Sequence, residues 1–96
     1  MSDFTARVDR QGNDNEITVV LEGELDLAAA PTLERELDGI VGRVTFDCTG
    51  LSFVDSSGLA VFAKVDRNGG ASLRNVNAHV RRVLEVVSLE YLVAET

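Results

Sequence analysis

The sequence predicts an α/β fold: a mixed sheet of four or five strands with three helices lying mainly on one face, in a single domain over residues 1–96. Three observations point there. The first strands alternate apolar and polar residues, as strands with one wet face should. The second half alternates strand and helix periods, which requires parallel pairing through right-handed crossovers. Three helices are too few to cover both faces of such a sheet, so they gather on one.

Taken in order, Phe4, Ala6 and Val8 mark a first strand, and the turn formers Gln11 to Asn15 lead into a second over Ile17 to Glu22. These two strands are expected to be antiparallel. Gly23-Glu24-Leu25-Asp26 is read as the loop that ends the second strand. Pro31 sits where a first helical turn has no N–H to lose, and Leu33, Leu37 and Ile40 fall at i, i+4 and i+7, predicting a helix of about three turns. Gly39 and Gly42 close it. The apolar strand from Val44 runs through Asp55-Ser56-Ser57 into a second helix carrying Leu59, Val61, Phe62, Ala63 and Val65, which ends at Asn68-Gly69-Gly70. Ala71 to Val76 reads as a strand. Asn77 is a plausible N-cap for a third helix, with Val80, Val83, Leu84 and Val87 inward. Leu89 to Ala94 is a final apolar segment, either a strand or an extended tail.

Composition excludes several function classes. Of 96 residues, 45% are hydrophobic, enough for a core in a small domain. Nine Lys and Arg against 16 Asp and Glu leave a net charge of −7, which disfavours nucleic acid and anionic membranes and favours a protein partner with a basic face. The single cysteine, Cys48, lies in an apolar strand and reads as a reduced core residue of a cytoplasmic protein. No apolar leader follows Met1, and no apolar run approaches the roughly 18 residues of a membrane span. Neither a metal-ligand cluster nor a Gly-rich phosphate loop occurs, so no cofactor is expected.

Catalytic readings also lack parts. His79 is the only histidine and lies on the third helix, so a triad would need it to cross the fold to Ser56 or Ser57. Glu22, Glu24 and Asp26 have no basic or metal-binding companion in sequence and read first as a solvated acidic loop. Because that loop and Asp55-Ser56-Ser57 both follow strands, the two can share one edge of the sheet. Small polar side chains at a helix start satisfy orphan N–H groups. A serine there has a second use, since a phosphate would add about −1.5 to −2 charge to an acidic surface and repel a docked partner.

Gly23-Glu24-Leu25-Asp26 followed by Phe46-Asp47-Cys48-Thr49-Gly50-Leu51-Ser52-Phe53-Val54-Asp55-Ser56-Ser57-Gly58-Leu59 resembles the STAS domain of anti-sigma factor antagonists, over nearly the whole chain from Ile17 to about Leu92. The resemblance implies a protein that binds an anti-sigma factor with a histidine-kinase-like ATPase fold and serine kinase activity, and so frees a sigma factor. It implies Ser56 as the phosphoacceptor and Glu24, Asp26, Asp55, Ser56, Ser57, Gly58 and Leu59 as the partner-binding set. A serine phosphatase would reset the cycle, and ATP and Mg²⁺ would belong to the kinase. Two positions depart from the family pattern. The stretch from Leu59 to Gly69-Gly70 is about four residues shorter, or roughly one helical turn. Ser88 stands where a glycine usually precedes leucine at the end of the third helix. STAS-like domains also serve as unphosphorylated scaffolds or accessory subunits of transport complexes, the alternative reading.

Overall fold

Residues of period two set the sheet, and the computed structural model describes residues 3–10 and 16–94 of the chain. Strand β1 (Thr5–Asp9) runs antiparallel to β2 (Glu16–Leu25), with Ala6 opposite Leu21 and Val8 opposite Val19. The expected turn at Gln11 to Asn15 lies outside the described residues. Strands β3 (Arg43–Val54) and β4 (Ala71–Arg74) add in parallel, giving the order β1-β2-β3-β4.

The crossovers from β2 to β3 and from β3 to β4 step the same way across the sheet, so right-handed connection places their helices on the same face. That face is the core. Ile17, Val19 and Leu21 from β2 and Val44, Phe46 and Cys48 from β3 are buried under it, while Thr18, Val20, Thr45 and Asp47 between them keep contact with water. Helix α1 (Ala30–Leu37) contributes Ala30 and Leu33, α2 (Ser56–Arg67) contributes Leu59, Val61 and Phe62, and α3 (Ala78–Val86) contributes Val80 and Leu84. Phe62 meets Phe46 with ring centroids 5.0 Å apart and planes tilted by 58°, joining the helix layer to the sheet.

Four local expectations are corrected by the structure. The sheet has four strands among the described residues, within the expected four or five, but Leu89 to Ala94 is neither strand nor extended tail: it forms a 3₁₀ turn at Glu90–Leu92 and a single parallel bridge from Val93 to Leu73. Strand β4 offers little edge to pair with, since Asn75 turns away at φ 60° after only four strand residues. Helix α1 spans eight residues, or about two turns, and Ile40 lies beyond it. The chain leaves the helix at Asp38, which is extended, and at Gly39, with φ 79°.

Strand β2 does not stop at Glu22 but continues through Leu25, pairing Glu24 with Phe53 and Leu25 with Val54. Strand β3 follows it by inserting extra residues twice, between the Val20–Asp47 and Glu22–Gly50 pairs and between the Gly23–Leu51 and Glu24–Phe53 pairs. These bulges explain why the buried residues Cys48, Leu51 and Val54 recur every third position where a regular strand would bury every second. Side chains fill the irregular ladder: Ser52 Oγ donates to the Gly23 carbonyl at 3.1 Å, and Asp47 Oδ1 accepts from the Thr49 N–H at 3.1 Å and its hydroxyl at 2.7 Å.

Candidate functional site

The two long strands β2 and β3 end side by side, and each runs directly into the start of a helical segment. At the end of β3, Asp55 takes an extended conformation and its Oδ1 accepts from the N–H groups of Ser57 at 2.9 Å and Gly58 at 3.3 Å. That is N-capping, and of the three polar residues at this turn it is Asp55 that performs it. At the end of β2, Asp26 does the same for the turn before α1: its Oδ1 accepts from the Ala29 N–H at 2.9 Å, and its carbonyl accepts from Ala29 and Ala30.

The two turns are tied to each other. The Asp55 N–H donates to the Leu25 carbonyl at 3.2 Å, and the second carboxylate oxygen of Asp55 accepts from the Leu27 N–H at 3.1 Å. Gly58 completes the join from below. A Cβ there would stand 2.6 Å from both Leu25 Cγ and Val54 Cγ2, so only glycine lets the first turn of α2 settle onto the ends of β2 and β3.

Ser56 is exposed at the first position of α2, and its hydroxyl is not the cap. Asp26, Asp55 and Ser57 are half-buried beside it, and Glu24 is exposed one residue from the strand end. The structure thus brings Glu24, Asp26, Asp55, Ser56 and Ser57 to one edge. Gly58 and Leu59 are buried, Leu59 with 6% exposure, so they support this edge from beneath. The dense carboxylates make the edge negative, and a further anion on Ser56 would lie among them.

Leu27 belongs to the same edge although sequence reasoning passed over it. Its side chain is 73% exposed, and with Ala30, Pro31, Ser57, Ala60 and Lys64 it borders a shallow groove of about 400 Å³ between α1 and α2. The signal available was an apolar residue directly after an acidic turn. His79 is stacked on Phe53, the register partner of Glu24, with ring centroids 6.0 Å apart, and three backbone amides occupy the Asp55 carboxylate. Among the described residues, no group of three or more His, Cys, Asp or Glu side chains is arranged to hold a metal ion.

Fold and site together define a small mixed α/β domain, one sheet face covered, with its polar groups gathered where two parallel strands open into helices. Residues 8–94 match the family described as Mlab, STAS domain, and the chain belongs to that family. It is 29% identical over 94 residues to the anti-sigma-B factor antagonist of Bacillus subtilis (strain 168), covering 90% of this chain and 86% of that one. Its fold superposes on the anti-sigma factor antagonist SpoIIAA in its unphosphorylated form with a TM-score of 0.82, at 22% identity over 96% of this chain and 88% of that one. The phosphorylated form of the Bacillus cell fate determinant SpoIIAA gives 0.74, also at 22% identity, over 96% and 91% of the two chains.

Proposed function

We propose that the chain is an anti-sigma factor antagonist whose docking is ended by phosphorylation of Ser56. The observation that carries this reading is the division of labour at the start of α2. Asp55 holds the free amides there, which leaves the exposed Ser56 hydroxyl with no structural duty and open to a kinase. The relationship to the Bacillus subtilis antagonist supports the partner class. In its unmodified form the domain docks through the edge formed by Glu24, Asp26, Ser56 and Ser57 onto an anti-sigma factor with a histidine-kinase-like ATPase fold, in the cytoplasm, and a sigma factor is released.

The anti-sigma factor then acts as a serine kinase. Ser56 Oγ bonds to the γ-phosphorus of its ATP, the bond to ADP breaks, and the hydroxyl proton passes to a base of the kinase. The domain supplies a substrate hydroxyl and no catalytic group. The new phosphate lies beside Asp55 and Asp26, adding about −1.5 to −2 charge to an edge that is already negative, and the complex separates by repulsion and desolvation. A serine phosphatase restores the docking form.

Incubation with purified kinase-fold anti-sigma factors of the source organism and Mg²⁺-ATP tests the assignment. Wild type takes up one phosphate and Ser56→Ala none; uptake by Ser56→Ala equal to wild type overturns it. Ser56→Asp is expected to bind the same anti-sigma factor at least about tenfold more weakly, an effect of one close like charge.

A further inference from the structure

The carboxylate of Asp55 has two jobs, one on each oxygen. Oδ1 caps α2 through Ser57 and Gly58, whereas Oδ2 reaches back across the sheet edge to the Leu27 N–H at 3.1 Å. No other hydrogen-bonding side chain spans from the start of α2 to the turn between β2 and α1 among the described residues. We infer that Asp55 is a positioning residue: it latches the Asp26–Ala29 turn to the start of α2, so that Leu27 stands as an apolar contact at fixed register beside Ser56 when a partner docks.

Several features agree with this role. Leu27 is 73% exposed, unusual for a leucine in a domain whose other leucines are buried or half-buried, and its N–H is held by Asp55 from the neighbouring turn. Within itself the turn is closed by the Asp26 carboxylate and carbonyl, which bind Ala29 and Ala30, so the Asp55 bond is what adds a side-chain tie from this closed turn to α2. Ser57, whose N–H shares the Asp55 carboxylate with Leu27, borders the same groove as the Leu27 side chain. Cap, phosphoacceptor and apolar contact therefore move as one unit. Kinase recognition of an edge formed by two separate chain segments requires those segments to keep register, and beyond the strand pairing and the Asp55 N–H bond to Leu25 the Asp55 carboxylate extends that register to Leu27.

This role rests on the proposed phosphorylation of Ser56, and the test separates the two. Asp55→Asn keeps an oxygen for Ser57 and Gly58 but turns an NH₂ toward the Leu27 N–H, where it cannot accept. Asp55→Ser likewise remains a good N-cap and has no second oxygen. In both variants the Leu27 amide is expected to exchange with solvent at least about tenfold faster while Ser57 and Gly58 stay protected. With the purified anti-sigma factor kinase and Mg²⁺-ATP, KM for the domain should rise about three- to tenfold, the effect of one lost hydrogen bond, with kcat within about twofold of wild type. Unchanged Leu27 exchange in both variants overturns the latch, as does faster exchange with KM unmoved. A wild-type chain that takes no phosphate overturns the functional reading, and the role of Asp55 in docking with it.

Discussion

Ser88 holds φ at 62°, the left-handed region that L side chains enter at a cost, and it does so as the terminator of α3. The Ser88 N–H donates to the Glu85 carbonyl at 3.1 Å and the Leu89 N–H to the Leu84 carbonyl at 2.9 Å, the paired bonds of a Schellman motif. Glycine is the residue this motif favours, so Ser88→Gly is expected to stabilise the domain by about 0.5–1 kcal/mol, read as a higher urea midpoint at unchanged slope. Cys48 sets a second residue-scale expectation. Burial pushes its thiol up from 9.0 to about 12, with the neighbouring Asp47 charge adding to the effect. The folded state keeps a proton that the unfolded chain gives up, so this contribution is whole below about pH 9 and is lost as pH rises toward 12. Stability should fall there by at most about 1.4 kcal/mol per pH unit from this group, and Cys48→Ala should flatten that part of the profile. Asp47 acts in the opposite sense. The Thr49 hydroxyl, then Asn75, hold its carboxyl below the usual range, so its contribution is present above about pH 4 and lost as pH falls through the folded value.

At the scale of elements, α2 is fixed at both ends by backbone needs. Its far end closes through Gly69 and Gly70, where the Gly70 N–H donates to the Val65 carbonyl at 3.3 Å, and a Cβ on Gly69 would stand 2.5 Å from the Gly42 carbonyl oxygen. Its twelve residues make just over three turns, as the early position of Gly69-Gly70 foretold. Its near end depends on Gly58. Gly58→Ala places a methyl against Leu25 and Val54, both fully packed, and is expected to cost about 1–3 kcal/mol through overpacking. On a domain this size that lowers Tm by roughly 4–8 °C for each kcal/mol, measurable by circular dichroism. Because the strain falls on the floor of the site, the proposed phosphorylation of Ser56 should slow in the same variant below its Tm. Helix α3 is capped by Asn77, which accepts from the Val80 N–H at 2.8 Å and donates to the Leu51 carbonyl at 3.0 Å. Asn77→Ala should therefore cost more than the roughly 1 kcal/mol of a cap alone.

For the whole molecule, a single core links the face of the sheet to all three helices, and Phe62 lies where α2 meets β3. Phe62→Ala is expected to remove about 3–5 kcal/mol, a large fraction of what holds a domain of this size together. Chemical denaturation should show it, and the proposed docking should be lost together with stability, since the edge carrying Ser56 is built on that packing. The opposite face of the sheet stays wet, and among the described residues no helix is long and apolar enough to cross a membrane.

Element identity was written in the sequence because it depends on local periods: alternation in β1 and β2, 3.6-residue spacing in the helices, and Asn77 placed one residue ahead of α3. The candidate site was legible for the same reason, as a polar cluster where the period changes. What only the tertiary structure decided is whatever depends on a partner far along the chain. The continuation of β2 to Leu25 needs β3 as its neighbour, and the bulges of β3 are visible only against β2. The bond from Asp55 to Leu27 joins residues 28 positions apart, so no local pattern announces that this acid holds a second segment in place, or that Leu27 stands at the start of α2. Sequence determined which residues could cap a helix or fill the core; the pairing of β2 with β3 decided which of them meet.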